Sequence, residues 1–372
     1  MHEEGTARVV RVALGKDSYD IVIGRGLAAQ IGAFVRERNY SRQALIVTDT
    51  NVGPLYGEKT AETLRQAGLS PFIYTVPAGE PSKSLAVAEG IYTAVIEHGL
   101  DRKSPVFALG GGVVGDLAGF IASTYMRGVP FIQLPTSLLA QVDSSVGGKV
   151  AVNHALGKNL IGCFYQPDAV FVDLALMETL PAREISTGLG EIVKYGIIYD
   201  EAFFTFLEQH QQEVLSLTPE AAVHMIARSC EIKAAVVSQD EKEAGLRRIL
   251  NYGHTMAHAI EQETGYVRYN HGEAVAIGMV GAADISRQLG LIDAATAART
   301  TALIASLGLP IQAEGCTEDK MYEEIFHDKK TVNGKVHWVL MDRIGHTQIR
   351  SDVPENVVRQ AMERVLKHGA AV

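Results

Sequence analysis

The feature that most constrains this chain is an alternation through its first half. Short runs that are apolar at nearly every position take turns with longer amphipathic stretches. ARVVRVAL and DIVIGRG flank GKDSY as a β-hairpin would. ALIVTDT, PFIYTV, SPVFALGGG, PFIQLPTSLLAQ and AVFVDLA then read as strands, with helical stretches around YGEKTAETLRQAG, SLAVAEGIYTAVIEHG and GDLAGFIASTYMRG. Strands without a polar face are buried on both sides, and strands joined by helical crossovers run parallel. An α/β unit with a doubly covered parallel sheet is therefore expected. From LPAREISTGLGEIVKYGII onward the periodicity is helical almost to the end, KVHWVLMDRIGHTQIRS being the strand-like exception. The expected division is an α/β domain over residues 1–180 and a mostly helical domain over residues 181–372.

Composition narrows the function classes. With 372 residues, 47% of them hydrophobic, the chain can bury two cores. No apolar run approaches the roughly 20 residues of a membrane helix. The N-terminus MHEEGTARVV lacks the basic-then-apolar order of a signal peptide. Three widely spaced cysteines, Cys163, Cys230 and Cys316, do not suggest a disulfide framework. A cytoplasmic location is expected. A net charge of −9 disfavours nucleic acid as a partner but leaves room for a small anionic substrate in a locally basic pocket.

Metal chemistry is suggested by NYGHTMAHAIE and HGEAVAIGM. His254 and His258 are four residues apart, hence neighbours on one helix face, and His271 opens the next apolar segment. A divalent ion over such a helix needs a further ligand from elsewhere, and zinc suits a nitrogen and oxygen donor set. The protease pattern HExxH is absent, since Thr255 follows His254.

Cofactor chemistry is suggested by three loops. Gly110, Gly112 and Gly115 fit G-x-G-x-x-G between a strand and a helix, where glycines let a backbone approach phosphate at a helix N-terminus. No acidic residue follows at the spacing of the ordinary dinucleotide fingerprint. Asp49, with Asn51 beside it, is the better candidate for a ribose hydroxyl, and PAGEPSK (residues 77–83) could wrap an adenosine. The polar segment QVDSSVGGKVAVNHALGKN brings Asp143, Lys149, Asn153, Lys158 and Asn159 together among glycines and reads as a loop that binds phosphate.

Taken together, GGGVVGDLAGF, RGVPFIQLPTSLLAQVDSSVGGK, NHALGKNLIGCFYQP, GEIVKYG, NYGHTMAHAIE and HGEAVAIGM closely resemble the 3-dehydroquinate synthase family. The resemblance runs essentially end to end. It implies a Rossmann-like N-terminal NAD-binding domain and a helical C-terminal metal domain. It also implies conversion of 3-deoxy-D-arabino-heptulosonate 7-phosphate to 3-dehydroquinate and phosphate, by transient oxidation, phosphate elimination, re-reduction and intramolecular aldol closure. NAD and zinc, with cobalt as the alternative ion, are the implied cofactors, and the implied assembly is a homodimer.

Carried over residue by residue, the resemblance makes Glu191, His254 and His271 the metal ligands. That replaces the pairing of His254 with His258 which spacing suggests. His258 becomes a neighbour concerned with phosphate and proton transfer. Asp143, Lys149, Lys158, Asn159, Lys194, Lys233, Arg247 and Asn251 fall on substrate-contacting positions, and one of Lys329 or Lys330 joins them. Arg127 matches an arginine donated across the dimer. Gly111, Gly112, Val113, Val114, Gly115, Asp116, Thr136 and Ser137 fall on NAD contacts. Asp49, Asn51, Gly79, Glu80, Lys83, Lys149, Lys158 and Thr179 are assigned to the same cofactor. Departures from the common pattern are Ala78, Val150, Gly190 and Ala257, of which Ala78 bears on how its loop would hold NAD. Three other readings share these features: a sister sugar-phosphate cyclase making an inosose or valiolone, a metal-dependent polyol dehydrogenase, and an NAD-binding protein without activity.

Overall fold

The computed structural model describes residues 7–327 and 336–367. Two compact units emerge, the first made of Met1–Pro181 with Lys233–Glu241, the second of Ala182–Ile232 with Lys242–Val372. Among the described residues no helix is long and apolar enough to cross a membrane.

The first unit contains β1 (Arg8–Val12), β2 (Tyr19–Gly24), α1 (Ala28–Glu37), β3 (Gln43–Asp49), α2 (Glu58–Gln66), β4 (Ser70–Val76) and α3 (Leu85–Glu97). It continues through β5 (Val106–Gly110), α4 (Gly112–Thr124), β6 (Phe131–Pro135), β7 (Lys149–His154), β8 (Gly157–Phe164) and β9 (Ala169–Asp173). Seven strands form one sheet in the order β1-β2-β9-β6-β5-β3-β4. Only the β1–β2 hairpin is antiparallel; every other pairing in this sheet is parallel. The pleat sends successive residues to opposite faces. Leu45 and Val47 enter a core with α3 and α4, whereas Ala44 and Ile46 enter another with α1 and α2. That double covering is why these strands carry no polar alternation.

Two elements go beyond the sequence-based expectation. The segment between residues 28 and 37, where no element is expected from sequence, is a helix, α1, which buries only Ile31, Gly32 and Val35. The polar segment read as a loop begins in a π-helical turn and runs from Lys149 into the antiparallel hairpin β7–β8, with Val150 paired to Cys163 and Val152 to Ile161. Val150 and Val152 are buried while Lys149 is exposed and Ala151 and Asn153 are half-buried, a period of two that is lost at the exposed His154.

The second unit contains α5 (Ala182–Tyr199), α6 (Glu201–Gln209), α7 (Gln211–Leu215), α8 (Pro219–Gln239), α9 (His254–Glu263), α10 (His271–Gln288), α11 (Ala294–Ser306), α12 (Glu318–His327), the hairpin β10 (Trp338–Arg343) and β11 (His346–Arg350), and α13 (Glu355–Val365). The last turns of α8 group with the first unit. α10 is the core helix, buried at nearly every position from Gly272 to Ser286 and packed by α5, α9, α11 and α13. Its contact with α9 is backbone on backbone: a Cβ on Gly278 would fall 2.0 Å from the Gly253 carbonyl oxygen.

Candidate active site: a glycine turn and a carboxylate–imidazole cluster

The strand order defines where a ligand should meet the first unit. The chain leaves β3 for β4 on one side, and leaves β5 for β6 on the other. Neighbouring strands whose connections diverge leave a crevice beyond their carboxyl ends, the usual ligand position in open α/β sheets. Asp49 ends β3 and Gly110 ends β5. Asp49 Oδ1 accepts hydrogen bonds from the backbone N–H of Asn51 (2.8 Å) and Val52 (2.9 Å), which fixes the turn there. After Gly110 the chain enters α4 with Gly111 as an N-cap that offers no side chain. A Cβ on Gly112 would lie 3.0 Å from Ser144 Oγ, and one on Gly111 3.4 Å from Ser137 Oγ. The Thr136 N–H donates to the Gly110 carbonyl at 3.0 Å, so Thr136 and Ser137 lie across the turn.

One turn into α4, Asp116 forms a buried ion pair with Lys83. Burial raises the Asp116 pKa, Lys83 opposes that, and Glu80 adds to it. Lys83 closes the loop after β4. In that loop Gly79 takes φ +107°, and Glu80 Oε1 accepts from Asn153 Nδ2 at 2.8 Å. The Asn153 N–H donates to the Lys83 carbonyl at 2.8 Å, and Asn153 Oδ1 accepts from the Asn159 N–H at 2.9 Å. These bonds join the PAGEPSK loop to β7 and β8, which carry Lys149, Lys158 and Asn159. Asn159 itself has φ +55°. Lys233 reaches Asp143 twice, at 2.7 Å to the carboxylate and 2.7 Å to the carbonyl, and so pins the π-helical turn Ala140–Ser144. Thr179 Oγ1 shares a hydrogen bond with the Tyr56 hydroxyl at 2.8 Å.

In the second unit three helices bring Glu191 (α5), His254 (α9) and His271 (α10) together, with one ligand atom from each inside a 4.8 Å span. Glu191 Oε1 lies 3.4 Å from His254 Nε2 and 3.6 Å from His271 Nε2. These separations are longer than good hydrogen bonds. Zinc–ligand bonds of roughly 2.0–2.2 Å place tetrahedral neighbours about 3.3–3.6 Å apart, and Glu191 Oε1 stands at that spacing from each imidazole. The other nitrogens are committed elsewhere: His254 Nδ1 meets the Tyr252 carbonyl at 3.1 Å, and His271 Nδ1 meets Glu261 Oε1 at 3.1 Å. That arrangement fixes the tautomer and turns both Nε2 atoms toward Glu191, as metal-binding histidines require. Lys194 pairs with Glu191 Oε2 and lies 5.1 Å from the Tyr195 ring centroid. Burial disfavours charge on His271, yet the neighbouring carboxylates of Glu191 and Glu261 outweigh it and lift its pKa to about 10. Surplus negative charge of this kind attracts a cation. The donor set fits zinc or cobalt.

His258 stands beside the cluster, its ring centroid 5.7 Å from that of His254 and 6.4 Å from that of His271, but supplies none of the three converging atoms. Pairing by helical spacing is thereby corrected: the next helix, not the next turn, provides the second imidazole. Arg247 is buried in the 3-10 turn Leu246–Asn251, and Asn251 donates to Glu243 at 2.9 Å. Arg127 is exposed and follows Met126 in a left-handed turn, with φ values of +69° and +48°. Lys329 and Lys330 lie outside the described residues. Glu261 was missed by sequence reasoning although it sits at i+7 from His254 and i+3 from His258, on the same helix face.

A parallel-sheet unit with a glycine turn and a helical unit with a Glu–His–His cluster are shared with sugar-phosphate cyclases, whose fold this chain has. Two solved members align over 96% of this chain. One is a 2-deoxy-scyllo-inosose synthase complexed with carbaglucose-6-phosphate, NAD+ and Co2+ (25% identity, TM-score 0.88, all of that chain covered). The other is the 2-epi-5-epi-valiolone synthase of Streptomyces hygroscopicus with NAD+ and Zn2+ bound (29% identity, TM-score 0.86, 99% covered). Sequence is more discriminating than fold. Residues 73–187 match the 3-dehydroquinate synthase N-terminal family and residues 188–331 the 3-dehydroquinate synthase C-terminal family. A 3-dehydroquinate synthase of Desulforamulus reducens is 50% identical over 347 residues, 93% of this chain and 97% of that protein. The chain belongs to the 3-dehydroquinate synthase family.

Proposed function

We propose that this protein is a 3-dehydroquinate synthase, a lyase that converts 3-deoxy-D-arabino-heptulosonate 7-phosphate to 3-dehydroquinate and phosphate on the shikimate route. The observation that carries this reading is the full-length kinship with 3-dehydroquinate synthases at half identity. In the division proposed here, residues 1–180 bind NAD and residues 181–372 bind metal and substrate. When bound, the dinucleotide takes up and returns a hydride, and a zinc or cobalt ion acidifies the hydroxyl that is oxidised.

The chain's own residues supply the rest. Glu191, His254 and His271 would hold the ion, with Lys194 fixing Glu191 through Oε2 so that Oε1 faces the imidazoles. Lys149, Lys158, Asn159, Arg247 and Asn251 bind the two anionic ends of the substrate and keep it in register, an effect worth several kcal/mol. Lys233 does so while holding Asp143. His258 serves proton movement beside the leaving phosphate. Asp49, Asn51, Glu80, Asp116 and Thr179, with the glycine turn, surround the dinucleotide.

A homodimer in the cytoplasm completes the reading. Its support is an exposed Arg127 in a left-handed turn, in a unit that also exposes Met126, Leu156, Leu160 and Phe164. Mixing Arg127→Ala with a Lys149→Ala chain should restore activity if Arg127 acts across the dimer; no recovery after proven subunit exchange overturns that part. The main test follows phosphate, dehydroquinate and NADH absorbance together. Trace NAD should support many turnovers, with one phosphate per substrate and no net NADH. NADH accumulating with product would indicate a polyol dehydrogenase. Turnover of a hexose phosphate instead would indicate a sister cyclase.

A further inference from the structure

One face of α5 runs against the first turn of α10. Arg183, Thr187, Gly190 and Glu191 fall on that face by helical spacing. Arg183 grips Glu273 with both arms of its guanidinium, Nε to Oε1 at 2.9 Å and a terminal nitrogen to Oε2 at 2.8 Å, and also donates to the Arg268 carbonyl at 2.6 Å. Glu273 is the third residue of α10 and closes a capping box, accepting from the Asn270 N–H at 2.8 Å. The Asn270 amide in turn donates to Thr187 Oγ1 at 3.2 Å and Glu184 Oε1 at 3.3 Å. Below this clamp the backbones touch. A Cβ on Gly272 would fall 1.8 Å from the Thr187 carbonyl oxygen, and one on Gly190 would fall 2.3 Å from the Gly272 carbonyl oxygen. His271 lies between the clamped cap and that contact, and Glu191 follows Gly190 directly.

We infer that Glu273, held by Arg183, is a positioning residue for the metal centre. It sets the rotation and height of the first turn of α10 against α5, so that His271 Nε2 meets Glu191 Oε1 at ligand spacing before any ion arrives. The inference rests on the metal centre proposed above. An ordinary helix cap needs an acceptor for its N–H; it does not need a bidentate tie to the helix that carries another ligand. Here the cap, the tie and the backbone contact all fix one relation, that of His271 to Glu191. Without the tie, the cap still starts the helix, but α10 can shift along α5.

The test uses the full-length chain with Zn2+ or Co2+ alone and needs no turnover. Zinc affinity is measured against a chromophoric chelator, coordination by the visible absorption of the cobalt form, and stability by melting of the metal-free chain. Glu273→Ala should weaken zinc binding about 10-fold, the lower end of what loss of a partner bonded directly to a ligand costs, because Glu273 acts through the backbone of α10. It should also weaken the cobalt bands as water enters the coordination sphere. Arg183→Ala, at a half-exposed position, should give a smaller loss in the same direction and carries the test if Glu273→Ala does not fold. The double variant should be no worse than Glu273→Ala, because the two act as a unit. Glu208→Ala breaks the equally bidentate Arg299–Glu208 pair between α11 and α6, and should lower the melting temperature without moving either metal readout. Zinc affinity and cobalt spectrum both unchanged in Arg183→Ala and Glu273→Ala would overturn the inference, as would an equal loss in Glu208→Ala. A wild-type chain that binds neither ion overturns the metal centre and this inference with it.

Discussion

A lysine–carboxylate pair in each unit can be set side by side, and the two have different roles. Lys83–Asp116 in the first unit has side chains 5% and 19% exposed; Lys194–Glu191 in the second has side chains 2% and 0% exposed. Desolvation makes any such pair costly, so each is better read as a device of arrangement than as a source of stability. Asp116 ties α4 to the loop after β4, with Glu80 and Lys233 as further charges around it. Glu191 divides its two oxygens, one to Lys194 and the other to two imidazoles. The first pair ties a helix to the loop after β4, beside the glycine turn. The second orients Glu191 where three helices meet, and the metal proposed there would tolerate little error in its donors.

The sharpest way to break this comparison is to neutralise Glu191. Glu191→Gln keeps the shape but leaves Lys194 without its carboxylate and the imidazoles without their third donor. Transition-state stabilisation of several kcal/mol should vanish, on the order of 10³-fold or more in rate. Metal analysis should find the purified variant depleted of zinc. Stoichiometric zinc with near-normal turnover in Glu191→Gln would remove Glu191 from the site. Lys83→Met, by contrast, should leave zinc content untouched.

The effect of Lys83→Met should instead appear as stability and its dependence on pH. It strands a buried carboxylate, for which about 3–5 kcal/mol is the usual penalty; the remaining exposure of Asp116 places the expectation toward the lower end. Burial already raises the Asp116 pKa, and Lys83 is the largest influence opposing it. An acid with a raised folded-state pKa binds its proton more tightly when folded. Its charge therefore costs nothing below the unfolded value near 3.8, and the cost grows as pH rises through the folded value. Removing Lys83 enlarges that cost. Urea unfolding should show a deficit that is full at neutral pH and shrinks as pH falls toward about 4. Asp116→Asn in the same chain should recover much of it. A deficit independent of pH would mean that Lys83 contributes by packing alone.

The same contrast explains what could be read from sequence. Strands of the first unit were legible because burial on both faces leaves unbroken apolar runs such as ALIVTDT and SPVFALGGG. The β7–β8 hairpin was not, since Lys149, Asn153, Lys158 and Asn159 interrupt the alternation that Val150 and Val152 maintain. α1 was missed because so short an apolar face, Ile31 and Val35, resembles a loop. In the second unit, spacing alone paired His254 with His258, because helical periodicity is local. The residues that converge with His254 come from α5 and α10, and what brings them near is a set of backbone contacts at Gly272, Gly190 and Gly278. Resemblance to a family pointed to those residues; no rule of spacing could have. Glu261 and the Arg183–Glu273 clamp were invisible for the same reason, their meaning lying wholly in which helix they face.

The smallest expected effect concerns those glycines, and it again separates the units. At Gly272 an added methyl meets the Thr187 carbonyl oxygen at 1.8 Å, and backbone cannot yield without moving α5. Gly272→Ala should therefore cost about 1–3 kcal/mol or more and weaken zinc binding with it. At Gly115 the methyl meets the far end of Gln133 at 2.9 Å, a side chain that can turn aside. Turning sacrifices the Gln133 bond to the Ser145 carbonyl, 3.3 Å long, while alanine in a helix gains roughly 0.5–1 kcal/mol over glycine. These terms nearly cancel. Gly115→Ala should melt within a few degrees of the wild type, yet bind NADH more weakly by fluorescence titration, because its site is the approach of backbone to phosphate. Unchanged NADH affinity with a large loss of stability would reverse the assignment: Gly115 would then be a packing glycine, and the turn's role in binding would rest on Gly111 and Gly112.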